Sequence, residues 1–328
     1  MRNNRGVRSK ANKKYRIAYI LLAITMVSIF MVQVILNKKN NVEKSKLLLA
    51  NSQNAKINES KQEAPDSSTG NEKKHENIVN KEEKKEEESV VEVTSLKKGS
   101  NTSIEGDSYT FNSAEVKKII DGTYVKDGKK IAFLTFDDGP SAVTTPKILA
   151  TLKKYNAKAT FFILGKNLDS YPKSKELLKE ILHDGHAIGN HSYSHDYKYL
   201  YPGGSINTEN LIADFDKNEN KIKEVLGADF KTSVVRLPGG MMSWKNKDNA
   251  KQALNSKGLN FIDWNSLNGD AEGGNKTPQQ LLERTKNTVH GHEKIILLMH
   301  DTKGNTAEAL GPIIEYLKSQ GYEFKTLK

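Results

Sequence analysis

The sequence predicts an α/β fold: a closed or nearly closed barrel of about seven parallel strands, behind a transmembrane helix and a disordered stalk. Three observations lead there. An uncharged run of 20 residues, Ile17–Leu36, follows a block of seven basic and no acidic side chains. Residues 37–104 are rich in Lys, Glu, Asn and Ser and poor in large apolar side chains. From residue 105 onward, short apolar runs alternate with amphipathic helical patterns, as βα units require.

The elements follow in chain order. Residues 1–16 form a basic segment expected on the cytoplasmic side of a membrane. As a helix, 17–36 would span about 30 Å, the thickness of a bilayer core. A cleaved signal peptide has a shorter apolar stretch and a small-residue cleavage site, which this segment lacks. Basic residues ahead of the anchor place that end inside and the rest of the chain outside. Between 37 and 104 the chain offers little to offset the entropy of ordering it, and Lys81–Glu88 is wholly charged. It reads as an extracellular stalk.

The compact region is expected to be one domain, residues 105–328. Its lead-in, Ser108–Tyr124, carries an amphipathic helical stretch at Ala114–Ile120. Strands are expected at Ile131–Phe136, Ala159–Leu164, Ala187–Asn190, Ser233–Leu237, Asn260–Asn265, Lys294–Met299 and Glu323–Leu327. Helices are expected between them at Thr144–Tyr155, Ser174–Asp184, Thr208–Leu226, Asn246–Ser256, Pro278–Val289 and Thr306–Ser319. Asn156, Gly185, Gly227 and Gly321 supply helix stops. An open doubly wound sheet fits this alternation too. The polar residues tilt the choice toward a barrel: Asp137–Asp138, His191/His195, Arg236 and His300 each fall at or just past the C-terminal end of a different strand, and in a barrel those ends converge.

Composition removes several function classes. The chain has no cysteine, so disulfides, thiolate nucleophiles and cysteine metal sites are excluded. The net charge is +11, but seven of those charges sit in residues 1–36, and 105–328 holds 31 basic against 28 acidic side chains. A nucleic-acid partner is therefore not expected.

Four segments carry candidate chemistry. In Thr135–Pro140 (TFDDGP) an apolar strand delivers two adjacent carboxylates pointing in different directions, one able to hold a metal while the other takes a proton. In Asn190–His195 (NHSYSH) two histidines four apart share a face over one helical turn, and two imidazoles with a carboxylate make a divalent-metal triad. The zinc-peptidase pattern is absent because no glutamate follows the first histidine. His300 ends the buried run Ile295–Met299, where an imidazole can donate a proton near neutral pH. In Val235–Gly240 (VRLPGG) a strand delivers an arginine that favours the ionised form of a neighbouring carboxylate, then a glycine turn that lets backbone approach closely.

TFDDGP, HSYSH, RLPGG and LLMHD, in that order over roughly residues 128–328, resemble the polysaccharide deacetylase family, also known as the NodB-homology or carbohydrate esterase 4 family. The similarity is greatest to its membrane-anchored peptidoglycan N-acetylglucosamine deacetylases. The resemblance implies a distorted (β/α) barrel and metal-dependent removal of acetyl groups from sugars. It makes Asp138, His191 and His195 the metal ligands, Asp137 the general base, His300 the general acid and Arg236 the group that holds Asp137. Gly239, Leu298 and Tyr193 become candidate substrate contacts, with the Gly239 N–H facing the developing oxyanion.

Two positions depart from the family pattern. Gly239 stands where a tyrosine is often found. The family's later Asp-Trp pair matches either Asp263–Trp264 or Asp270–Ala271. Asp270 is favoured because it lies beyond the strand end with the other candidates. The ligand set suits zinc, and cobalt, nickel or manganese fit the same donor types. The expected partners are a cell-wall glycan and, through the anchor, the membrane of a Gram-positive bacterial surface. The alternatives are another polymer (poly-N-acetylglucosamine, chitin or xylan) and a glycan-binding domain without catalysis.

Overall fold

The structure is a computed structural model that describes residues 95–328. The basic segment 1–16, the anchor 17–36 and the stalk through residue 94 lie outside the described residues. Among the described residues no helix is long and apolar enough to cross a membrane.

The chain opens with β1 (Thr110–Phe111) and α1 (Ser113–Ile120), then enters β2 (Ile131–Gly139), α2 (Thr145–Lys154) and β3 (Ala159–Ile163). Two helices, α3 (Gly165–Ser170) and α4 (Pro172–His183), lead to β4 (Ala187–Asn190). A single turn, α5 (Tyr197–Leu200), and the long α6 (Thr208–Leu226) precede β5 (Val234–Val235), α7 (Lys247–Ser256) and β6 (Asn260–Phe261). The remainder is β7 (Ser266–Leu267), α8 (Pro278–Val289), β8 (Lys294–His300), α9 (Gly304–Ser319), β9 (Glu323–Phe324) and β10 (Thr326–Leu327). The expected helix stops hold: Asn156, Gly185, Gly227 and Gly321 all adopt positive φ.

Every strand pair is parallel, in the order β6-β5-β4-β3-β2-β8-β7. β9 takes the start of β2 at Ile131–Ala132, ahead of the β3 ladder that begins at Leu134. The sheet curls but does not close, because β6 and β7 are not paired to each other. This corrects the expectation of a closed or nearly closed barrel, and the cause lies in residues 262–265. A single strand was expected at Asn260–Asn265. Instead the carbonyls of Ile262 and Asp263 turn to the Arg236 guanidinium, and the Asn265 side chain bonds the β8 backbone at Lys294 and Ile296.

Strand alternation splits the core into two layers. Ala132, Leu134 and Phe136 of β2 point outward, packing with Ile295, Leu297 and Met299 of β8 against α2, α4, α8 and α9. Ile131 and Phe133 point inward with Phe162, Val234, Ile262 and Ile296. Register then fixes what stands above that inner layer. Thr135 pairs with Leu298 and Asp137 with His300, so these four side chains share the inner face. The interior is apolar at the floor and polar at the C-terminal rim.

Residues 95–104, expected to be stalk, belong to the domain. Ser100, Asn101, Thr102 and Ser103 are buried. Asn101 Nδ2 donates to the Ile188 and Leu327 carbonyls, and Thr102 Oγ1 donates to the His186 carbonyl. The Asn101 and Thr102 side chains satisfy backbone carbonyls, so their burial needs no hydrophobic pattern.

Candidate functional site

Two aspartates leave β2 together, and a local irregularity decides where each points. The ladder with β3 shifts register between Asp137 and Gly139, leaving Asp138 as the extra residue of a β-bulge with φ 73°. Bulges re-aim side chains at strand ends. Here the bulge lets both carboxylates face His191: its Nε2 is 3.5 Å from Asp138 Oδ1 and 3.7 Å from Asp137 Oδ2. His195 Nε2 lies 3.4 Å from the same Asp138 oxygen. His195 also adopts positive φ (51°), as does Ser192 (79°). Such backbone costs of order 1–3 kcal/mol per residue and persists where surrounding contacts enforce it.

Those contacts are present around the histidine segment. The Asp214 carboxylate on α6 accepts the N–H groups of Tyr193 and Ser194 and the Ser194 hydroxyl. The Ser192 hydroxyl accepts the His195 N–H, and Asn190 Oδ1 accepts the Ser192 N–H. His191 Nδ1 donates to the Arg236 carbonyl at 2.8 Å, which leaves its Nε2 lone pair facing the carboxylates.

One ligand atom each from Asp138, His191 and His195 lies within 4.8 Å of the other two. Asp138 Oδ1 is buried and has no hydrogen-bond partner. An orphaned anionic oxygen between two imidazole nitrogens is the donor arrangement a divalent cation completes, so the residues fit such an ion. The electrostatics agree. Burial pushes the Asp138 carboxyl up, but the adjacent His191 imidazole and the charges of His195 and His300 hold it far below the usual carboxylate range. Burial opposes charge on His191, yet Asp137 and Asp138 raise its proton affinity. His195 is pushed down by burial and by His191.

Asp137 is clamped. Arg236, with no exposed surface, donates Nη1 to Asp137 Oδ1 at 2.8 Å and to Thr135 Oγ1 at 2.8 Å. Its Nε and Nη2 go to the Ile262 and Asp263 carbonyls, and its plane lies 4.1 Å from the Phe162 ring. The charged groups are thereby fixed with one Asp137 oxygen left toward His191.

His300 stands on the neighbouring strand with Asp270 behind it. Asp270 Oδ1 accepts His300 Nδ1 at 2.8 Å, while Oδ2 accepts the His300 N–H and the Thr306 hydroxyl. Burial would strip the proton from His300, but the Asp270 bond and charge outweigh it and raise the imidazole to about 9. The same pairing holds Asp270 below its ordinary range against the upward push of burial. Asp263, the other candidate, instead accepts the Met241 N–H on both oxygens and so shapes the turn after Arg236.

The structure therefore gathers Asp137, Asp138, His191, His195, Arg236, His300 and Asp270 at one rim. Leu298 lines the inner wall beneath His300, in register with Thr135. Gly239 sits in the turn beyond Arg236, at φ 75°, and its N–H has no acceptor among the described residues. Tyr193 is not brought to the ligand triad. Its hydroxyl donates to Asp169, its ring lies under the Lys217 ammonium at 3.5 Å, and Gly165 packs on its edge. The Asp214 carboxylate draws the backbone of the loop inward, which turns the intervening tyrosine away.

Sequence reasoning missed Asp214, Thr135, Thr306 and the aromatic group Tyr197, Tyr201 and Trp244 beside His195. Asp214 and Asn218 left a trace: they are polar residues four apart on the buried face of α6. The others left none.

The polysaccharide deacetylase family model matches residues 124–262. The chain is 34% identical over 203 residues to the peptidoglycan-N-acetylglucosamine deacetylase PgdA of Listeria monocytogenes, covering 62% of this chain and 39% of that protein. The chain thus spans well under half the length of that relative. It is also 34% identical over 210 residues to a peptidoglycan-N-acetylglucosamine deacetylase of Bacillus cereus, covering 62% of this chain and 89% of the relative. The solved structure of a Streptococcus mutans CE4 esterase superposes with a TM-score of 0.66 at 35% identity, covering 73% of this chain and 100% of that one.

Proposed function

The chain belongs to the polysaccharide deacetylase family, and on that footing we propose that it hydrolyses the N-acetyl group of N-acetylglucosamine residues in cell-wall peptidoglycan. The observation that carries this reading is the orphaned, buried Asp138 oxygen between two imidazoles, flanked by a clamped carboxylate and a carboxylate-backed histidine. A glycan-binding surface requires none of these costly groups. The names of the relatives support the glycan.

Each residue then has work that its surroundings allow. Asp138, His191 and His195 would hold a divalent ion, zinc by the donor set, which would supply polarisation of the acetyl carbonyl and a more acidic water. Asp137, held in place by Arg236, takes the proton from the attacking water. The free Gly239 N–H donates to the developing oxyanion. His300 delivers a proton to the leaving nitrogen, because an amine leaves poorly as its anion. Asp270 keeps that proton on His300 through neutral pH.

The last point fixes a direction. His300 must be protonated to act, and it stays so up to about 9, so activity should fall as pH rises through that value. Asp270→Asn removes the charge that raises the imidazole. The alkaline limb of kcat/KM is then expected at lower pH than in the wild type, with metal content unchanged. An unmoved limb would separate Asp270 from the acid.

The uncharged run 17–36 behind seven basic residues supports a single-pass anchor with the domain outside the cell membrane. One assay tests both parts of the reading. The full-length chain should appear in the membrane fraction, and that fraction should release acetate from purified wall glycan until a chelator is added. Recovery in the soluble fraction would remove the anchor. Acetate release from acetylated xylan but not from wall glycan would replace the substrate.

A further inference from the structure

Tyr197 occupies an unusual place. Its ring centroid lies 5.1 Å from that of His195, tilted, and 5.1 Å from that of Trp244, edge-on. Trp244 is itself fixed by stacking on Tyr201 at 4.0 Å and by donating its indole N–H to the Pro238 carbonyl. The tip of Tyr197 reaches the arginine turn: a Cβ added to Gly239 would lie 3.2 Å from the Tyr197 hydroxyl and 3.1 Å from Trp244 Cζ2. A side chain at 239 would be strained by the positive φ of 75° and would press on Tyr197 and Trp244.

The hydroxyl has no hydrogen-bond partner among the described residues, and it stands beside the equally unpartnered Gly239 N–H. Two free donors lie near each other there, one from backbone and one from a ring packed against His195 and the edge-on Trp244. Tyr197 is 44% exposed, so the tip is open to a bound molecule. Resting on the deacetylase reading above, we infer that the Tyr197 hydroxyl is a second hydrogen-bond donor to the oxyanion that forms beside Gly239. Donors fixed before reaction stabilise developing charge without reorganising, and losing one costs roughly 10²–10³-fold in turnover.

Tyr197→Phe isolates the hydroxyl, since the ring and its contacts with His195 and Trp244 remain. In the full-length, metal-loaded chain acting on N-acetylglucosamine oligomers, kcat should fall by about 10²-fold while KM stays within about twofold. Bound metal should match the wild type. Oligomer affinity, read from tryptophan fluorescence without turnover, should match it too. Wild-type kcat in the variant would overturn the inference. A weaker affinity with kcat intact would also overturn it, because the hydroxyl would then serve the sugar and not the oxyanion. A wild-type chain that releases no acetate would fail the deacetylase reading itself and this inference with it.

Discussion

Asp137→Asn should lower acetate release by about 10⁴-fold, the upper end for a lost general base, while leaving the metal in place. The change keeps shape and one acceptor oxygen but deletes the site that takes a proton. Arg236 Nη1, now 2.8 Å from Asp137 Oδ1, still finds an amide oxygen there, and it retains Thr135 and the carbonyls of Ile262 and Asp263. The proposed ligand triad is untouched, because the orphaned oxygen belongs to Asp138. Turnover and bound zinc must be measured on the same samples. Both carboxylates approach His191 Nε2, at 3.5 and 3.7 Å, so the result can go the other way. Loss of metal together with activity would exchange the roles of the two aspartates.

The second large effect concerns folding. Arg236→Leu is expected to destabilise the domain by about 3–5 kcal/mol, seen as a lower urea midpoint, because it strands the buried Asp137 carboxylate without its charged partner. The Thr135 hydroxyl and two carbonyls would lose their donor as well. Those carbonyls border the gap between β6 and β7, so the guanidinium also ties the open edge of the sheet to β2. Replacing both partners, Arg236→Leu with Asp137→Leu, should cost less than the single change, since no unpaired charge remains. A single-variant cost under about 1 kcal/mol would show that the clamp does not support the fold.

Much of this was legible in the sequence where local pattern and tertiary role coincide. β2 and β8 are apolar runs that end in Asp-Asp and in His, and their register places Asp137 beside His300. The long helices show their amphipathic faces, and their glycine or asparagine stops lie where positive φ is needed. Legibility ended where one residue's conformation depends on distant partners. Nothing in TFDDGP states that Asp138 sits in a bulge, and nothing in HSYSH states that Asp214, on a helix some 20 positions later, pulls Tyr193 away from the ligands.

Asp270 illustrates a related point. Its position beyond the strand end favoured it, but what holds it is Thr306 and the His300 backbone, from two other elements. The stalk boundary shifted for a different reason. Hydropathy detects burial by apolar surface, whereas Asn101 and Thr102 are buried because they cap backbone groups.

That polar lacing has a mechanical consequence. Residues 99–102 bond to Asp229, Lys231, His186 and Ile188, all at the strand beginnings, whereas the reacting groups crown the opposite pole. Residues 99–102 thus join the domain at its base, at the pole opposite the candidate site. A force applied at that base would pass through the strand beginnings before it reached the rim.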